Sequence, residues 1–107
     1  MIDIKEMRAL AVNIDNVVLT KHVLDRIRQR GVEKRDLLNV IMYGEIIEQY
    51  PDDYPYPSCL ILYLKINSKP LHLVCSMGNN KVYIITVYEP DLKHWEPDFT
   101  ARKERAK

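Results

Sequence analysis

The chain has 107 residues, 47% apolar and 29% charged, a balance typical of one globular domain. No apolar run approaches the roughly 18 residues that cross a bilayer, and the charged N-terminus is unlike a signal peptide. The two cysteines lie in apolar runs, where we expect reduced core thiols of a cytoplasmic protein, with a disulfide as the alternative. The sequence therefore predicts a single domain over residues 1–107 that does not enter a membrane, with a charged tail at 98–107.

The net charge of +1 conceals an uneven distribution along the chain. Residues 21–35 carry six bases against two acids, and residues 99–107 carry four bases against one acid. The long middle segment is acidic. Local positive patches are what phosphate binding requires. A solvated helix face would carry the same charges, and charge alone favours that simpler interpretation.

The first half of the chain predicts three helices, at 4–12, 21–30 and 34–43. The first contains good helix formers. Thr20 can cap the second helix, and Gly31 can end it in a left-handed conformation. Residues 13–19 are expected to form a connection or a short extended segment.

The second half alternates apolar and polar residues and predicts four antiparallel strands, at about 45–50, 57–66, 70–77 and 81–88. A proline-rich loop, 50–57, separates the first two strands, and Asn67-Ser68 is expected to form a two-residue turn. Gly78-Asn79-Asn80 is predicted to form a three-residue loop, because a two-residue loop would place Thr86 and Tyr88 in the core. Residues 91–107 are expected to be a loosely held, partly helical tail. The overall expectation is an α+β fold with N-terminal helices on one face of a four-stranded antiparallel sheet.

The register of these strands decides which side chains share a face. Pairing residue 66 with 69 sets three leucines of the second strand against apolar residues of the third and predicts one core face. The core face pairs Leu60, Leu62 and Leu64 with Cys75, Leu73 and Leu71. The opposite face is then predicted to carry Tyr63, His72, Thr86 and Tyr88.

The second helix holds the first candidate site. His22, Arg26 and Arg30 recur every four residues and form one stripe at the rim of the buried face. Two arginines can clamp a phosphate, and histidine can move a proton near neutral pH. A solubilising helix edge explains the same spacing. The residues expected to face the core beside the stripe are Val23, Leu24 and Ile27.

The sheet holds the second candidate site. Polar side chains at His72, Thr86, Tyr88 and Tyr63 could form a binding floor on an uncovered face. A half-exposed sheet face would favour the same threonine and tyrosines simply as strand formers. Trp95, with its neighbour His94, is interpreted as a packing anchor.

No metal or cofactor site is predicted. The three histidines lie far apart in the sequence, and neither a CxxC nor an HExxH spacing occurs. No glycine-rich phosphate loop is present, and the serines and cysteines carry no nucleophile signature.

Four segments in order resemble one known family: KHVLDRIRQRGV, GEIIEQYPDDYPYPSCLIL, PLHLV and ITVYEPDLKHWE. They are similar to domain of unknown function 4258, and the resemblance covers residues 17–97. That family resembles RelE-like and related metal-independent ribonuclease toxins, often encoded beside small CxxC zinc-finger antitoxins. The resemblance therefore implies a RelE- or barnase-like fold and the toxin half of a toxin–antitoxin pair. It also implies RNA as substrate, such as mRNA on the ribosome, and an antitoxin, with a CxxC zinc-finger protein as one form.

The resemblance places the family's residues on this chain. Its histidine and arginine pattern falls on His22, Arg26 and Arg30, its PLH histidine on His72, and its TVY pair on Thr86 and Tyr88. Catalytic roles are expected from His22, Arg26, Arg30, His72 and Tyr88. Glu33 stands where a serine or threonine cap is usual, which puts the start of the third helix in question. The expected mechanism is metal-free cleavage in which a histidine moves the proton and the arginines stabilise the phosphorane. The alternative is a non-catalytic protein- or RNA-binding module. Substrate contacts are expected from Arg28, Tyr63 and Thr86.

Overall fold

The computed structural model describes residues 1–64 and 69–103. Three α-helices precede most of the sheet, as the sequence predicts, and a short 3-10 turn at Ile14–Asn16 follows the first helix. The helices are α1 (Ile4–Ala11), α2 (Lys21–Arg30) and α3 (Lys34–Tyr43). The strands are β1 (Val17–Leu19), β2 (Glu45–Tyr50), β3 (Ser58–Leu64), β4 (Pro70–Gly78) and β5 (Lys81–Tyr88).

The expected helix ends are confirmed. The Thr20 hydroxyl accepts a hydrogen bond from the Val23 amide, and Gly31 ends α2 with a φ of 65°. Helix α3 begins at residue 34 although Glu33 precedes it. The Asp36 carboxylate accepts a hydrogen bond from the Glu33 amide at 3.0 Å, which satisfies a donor at the helix start.

The sheet has five strands and is mixed, so the prediction of four antiparallel strands is wrong in this respect. The strand order is β1-β5-β4-β3-β2, and β1 pairs parallel to β5 while the other pairs are antiparallel. The α+β class is confirmed. Strand β1 has only three residues and pairs with a segment more than sixty residues away, so local alternation could not reveal it.

The predicted register between β3 and β4 is wrong by one residue. Ile61 pairs with Leu73 and Leu62 with His72, so Leu60, Leu62 and Leu64 lie on the face away from the helices. Both faces of β3 are apolar, which is why alternation alone could not choose between them. The predicted Asn67-Ser68 turn lies outside the described residues.

The predicted three-residue loop after β4 is also wrong. Gly78 pairs with Lys81, and Asn79 and Asn80 form a two-residue turn with φ values of 53° and 58°. A β-bulge at Ile85 then shifts the pairing by one residue, so the strand beyond it keeps the orientation that the predicted three-residue loop would have given. Thr86 and Tyr88 consequently stay out of the main core.

The main core lies between the helices and one face of the sheet. Val23 of α2, Leu37 of α3 and Leu73 of β4 all belong to this core, and all three are fully buried. Leu24 was expected to join them, but it is 41% exposed. Cys59 and Cys75 are free buried thiols in this core, with their Sγ atoms 4.0 Å apart.

The other face of the sheet, hereafter the helix-free face, is covered at both ends. The loop 51–57 folds over one end, and Tyr56 packs against Gly78 and stacks on Tyr83 at 5.6 Å. Residues 91–103, hereafter the strap, cover the other end. The strap contains turns and one antiparallel bridge, Trp95 to Arg102, so the helical tail is wrong for its described part. No helix in the described residues is long and apolar enough to cross a membrane.

Candidate functional site

His72 lies at the centre of a polar cluster on the helix-free face. Its ring is fully buried, although histidine is seldom completely enclosed. Nε2 donates to the carbonyl oxygen of Phe99 at 2.8 Å, and Nδ1 accepts from the hydroxyl of Tyr88 at 3.1 Å. Both ring nitrogens are therefore occupied, and a carbonyl partner on Nε2 requires the proton there.

Aromatic side chains also enclose the His72 ring. The indole of Trp95 meets the His72 ring edge-on, with centroids 4.4 Å apart, and Tyr88 meets it in a similar way at 5.2 Å. Trp95 is 3% exposed, so its role as a packing anchor is confirmed. Its neighbour His94 is exposed and bonds Asp91 through Nδ1 at 2.9 Å.

Arg102 closes the cluster by joining the strap to the sheet. Its Nε and Nη2 donate to the Glu48 carboxylate at 3.0 Å each, and its guanidinium lies 4.6 Å from the centre of the Trp95 ring. Tyr50 also donates a hydrogen bond to Glu48. The carboxylate thus receives donors from its own strand and from the strap, which links residues 54 positions apart.

These contacts shift several ionisation equilibria. The hydrogen bonds from Arg102 hold the pKa of Glu48 below its usual range. Burial, together with the hydrogen bond to Glu48, raises the pKa of Tyr50 to about 12. Burial lowers the pKa of His72 and raises that of Tyr88. Together these shifts favour the neutral forms of His72, Tyr50 and Tyr88 and the charged form of Glu48 beside Arg102.

The predicted sheet site is only partly assembled. His72 and Tyr88 are brought together, and Thr86 lies on the same face opposite Val74. Tyr63 is not part of the group, because it pairs with Leu71 and packs against the main core on the other face. The one-residue register error accounts for that misplacement.

The predicted α2 stripe lies on the other side of the sheet from His72, because α2 packs through Val23 against the main core. Arg26 is half-buried, as a rim position requires, whereas His22 and Arg30 are exposed. The side chains of these three residues and of Arg28 form no hydrogen bond or ion pair with any residue in 1–64 or 69–103. The structure therefore shows no contact that joins the stripe to His72 and Tyr88.

The residues that sequence reasoning missed are those that bind the strap to the sheet. Glu48 and Tyr50 lie two residues apart on β2 and so share one face, but only tertiary structure reveals their partner. Arg102 lay within a segment expected to be loose. No cluster of three potential metal ligands occurs in the part of the chain that the structure describes.

The comparison with protein families identifies the class to which this α+β domain belongs. Residues 19–89 match the family described as Domain of unknown function (DUF4258). The matched segment contains every element from α2 to β5. The chain belongs to this family. No curated protein and no solved structure matches the chain.

Proposed function

We propose that this protein is the toxin of a toxin–antitoxin pair, binding RNA along α2 and cleaving it without a metal ion. The observation that carries the proposal is that α2 has several basic side chains and that its arginines are unpaired within the described part of the chain. The helix has cations at positions 21, 26, 28 and 30 and one acid, Asp25. Its arginines have no partner among the described residues, so they are available to an anionic ligand.

The spacing on α2 suits a polyanion with regularly spaced charges. His22 and Arg26 are one helical turn apart, as are Arg26 and Arg30, so neighbouring groups lie on one face about 5–6 Å apart. A guanidinium can donate two parallel hydrogen bonds to a phosphate. The stripe could therefore contact consecutive backbone phosphates, which would fix the position of the RNA without reading its sequence.

For the cleavage step, His22 is better placed than His72. Cleavage through the ribose 2′-OH needs a base that takes the hydroxyl proton, an acid that protonates the leaving 5′ oxygen, and a cation that holds the charge on phosphorus. A single histidine can serve as the base and, once protonated, return the proton to the leaving oxygen. His22 is exposed beside Arg26, whereas both nitrogens of His72 are occupied beneath the strap. His72 and Tyr88 would join the reaction only after the strap had moved.

The closed state of His72 favours a second candidate, a non-catalytic RNA- or protein-binding module. In that case His72 and Tyr88 attach the strap, and α2 supplies only the phosphate contacts. The two candidates share the binding surface and differ in the chemistry of His22.

One experiment separates these candidates. Purified protein is incubated in EDTA with labelled single-stranded RNA, and binding and cleavage are measured in parallel across a salt series. Arg26→Ala with Arg30→Ala should weaken binding at least tenfold and reduce the salt dependence by about two phosphate contacts. His22→Ala should retain binding but lose cleavage. Lys5→Ala, which removes an exposed cation from α1, should behave as the wild type.

The outcomes are distinct. Salt-dependent binding without cleavage in any sample would leave only the non-catalytic module. Binding that does not depend on the α2 arginines would reject the proposed surface.

The toxin role is tested by expression: the wild type should arrest growth, His22→Ala should not, and the antitoxin encoded beside it should restore growth. Harmless expression of the wild type would rule out the toxin.

A further inference from the structure

A pocket of about 510 Å³ lies on the helix-free face, at the end away from His72. The loop 51–57 forms one wall, β4 and β5 form the floor, and Thr20 at the start of α2 forms the rim. The volume lies within the range of small-molecule sites, which are mostly apolar with a few polar groups. None of the residues proposed above for phosphate binding lines it.

The floor carries a hydroxyl without a partner. Ser76 is 7% exposed and lines the pocket, yet its side chain makes no hydrogen bond with any residue in the described ranges. Ser58, directly opposite on β3, donates to the Asp53 carboxylate and is thereby satisfied. A nearly buried serine that lines a pocket and has no other partner can offer its hydroxyl to a ligand.

The walls supply flat aromatic surfaces. Tyr56 and Tyr83 stack with an interplanar angle of 16°, which holds both rings in place beside the pocket. Tyr54 also lines the pocket but is 95% exposed, so one of its faces is free. The bulge adds the apolar side chain of Ile85 to the floor. A planar heteroaromatic ring could stack here while its edge reaches Ser76 and Asp53.

From these features we infer that the pocket binds a nucleobase of the RNA whose phosphates lie along α2. The inference rests on the proposed function, because Thr20 both lines the pocket and caps α2, so the basic helix begins at the rim. Unstacked bases of single-stranded RNA bind aromatic side chains in this way and present polar edges to hydrogen-bonding groups. Asp53 accepts hydrogen bonds from amino and imino groups of a base, and Ser76 donates or accepts.

The test compares two ligands that carry the same phosphate. The full-length protein, labelled with ¹⁵N, is titrated with guanosine 5′-monophosphate and with ribose 5-phosphate. The nucleotide should shift the amides of Ser76, Tyr83 and Ile85, and the sugar phosphate should not. Equal shifts from both ligands, or none from the nucleotide, would overturn the pocket assignment.

Variants then locate the contact. Tyr54→Ala removes an exposed ring and should leave the fold intact while weakening the nucleotide roughly fivefold or more. Ser76→Ala should weaken it as well. Tyr43→Ala is the matched control, since Tyr43 is 75% exposed and lines a different pocket. Unchanged affinity in both Tyr54→Ala and Ser76→Ala would overturn the inference.

The same variants separate this inference from the proposed function. If RNA binding depends on the α2 arginines but not on Tyr54 or Ser76, the pocket assignment fails and the phosphate surface stands. If the nucleotide binds in the pocket but RNA binding is indifferent to the α2 arginines, the proposed function fails at that surface. RNA in which one nucleotide lacks its base should bind more weakly than intact RNA to the wild type and equally to Tyr54→Ala.

Discussion

Arg102 donates two hydrogen bonds to the carboxylate of Glu48 across the helix-free face, and this pair binds the end of the described chain to an edge strand. Without it the strap would rest mainly on Trp95 and the carbonyl of Phe99. The same strap determines that His72 is enclosed. The accessibility of His72 therefore depends on the ion pair between Arg102 and Glu48, although neither of these residues belongs to a predicted site.

Arg102→Ala should loosen the strap. The side chain of Arg102 is 57% exposed and that of Glu48 24%, so we expect a loss of about 1 kcal/mol in the free energy of unfolding, measured by urea denaturation. Lys103→Ala, in the neighbouring exposed residue, should cost close to nothing. Equal losses in the two variants would mean that the pair does not attach the strap.

The stability of the protein should depend on the ionisation of His72. Because burial lowers the pKa of His72 in the folded state, the unfolded chain binds the proton more readily. The free energy of unfolding should therefore fall as pH drops below about 6.5, the ordinary histidine value, and level off below the folded-state pKa. Urea denaturation across pH 5 to 8 measures this slope.

The matched comparison for that pH dependence is between two histidines. His72→Gln should flatten the slope, whereas His22→Gln, which changes an exposed ring without partners, should preserve it. A slope that survives in His72→Gln would assign the effect to other groups.

Gly78→Ala should displace the loop 51–57 from the sheet. A Cβ atom at this position would lie 2.2 Å from the ring of Tyr56, so the ring and its loop must shift. We expect a cost of roughly 1–3 kcal/mol. In a Tyr56→Ala background the same substitution should cost much less, and denaturation of all four proteins measures the coupling. Additive costs would show that the two residues do not meet.

The two thiols should be unreactive in the folded protein. Cys59 and Cys75 are fully buried, and the pKa of Cys75 is raised by its contact with Cys59 and by burial. A colourimetric thiol reagent should therefore label neither cysteine in native buffer and both in guanidinium chloride. Labelling that is rapid without denaturant would indicate that this part of the core opens easily.

The sequence predicted the local features of the fold well. Thr20 and Gly31 mark the two ends of α2 because capping chemistry depends only on neighbouring residues. Prediction from the sequence failed where the pairing of two distant segments had to be chosen. Leu60 and Ile61 are equally apolar, so only the packing of the helices decides which of them faces the main core.

The candidate site shows the same division. The adjacency of His72 and Tyr88 was predicted because both were placed on one face of paired strands, even though the predicted three-residue loop would have set Thr86, and not Tyr88, directly opposite His72. The enclosure of His72 could not be predicted, since it depends on Arg102 reaching Glu48 from a segment without helical or strand periodicity. The shared phosphate site of α2 and β4 stays a prediction without a supporting contact.

The parallel pairing of β1 with β5 bears on how the family-matched segment behaves in isolation. That segment starts at residue 19, so a fragment limited to it would lack most of β1 and the whole of α1. The outer backbone groups of β5 would then be unpaired, and Met7 and Ala11 would no longer cover the neighbouring apolar side chains. An open strand of this kind recruits other chains. The first eighteen residues thus cover a strand edge that a fragment of residues 19–89 would leave open.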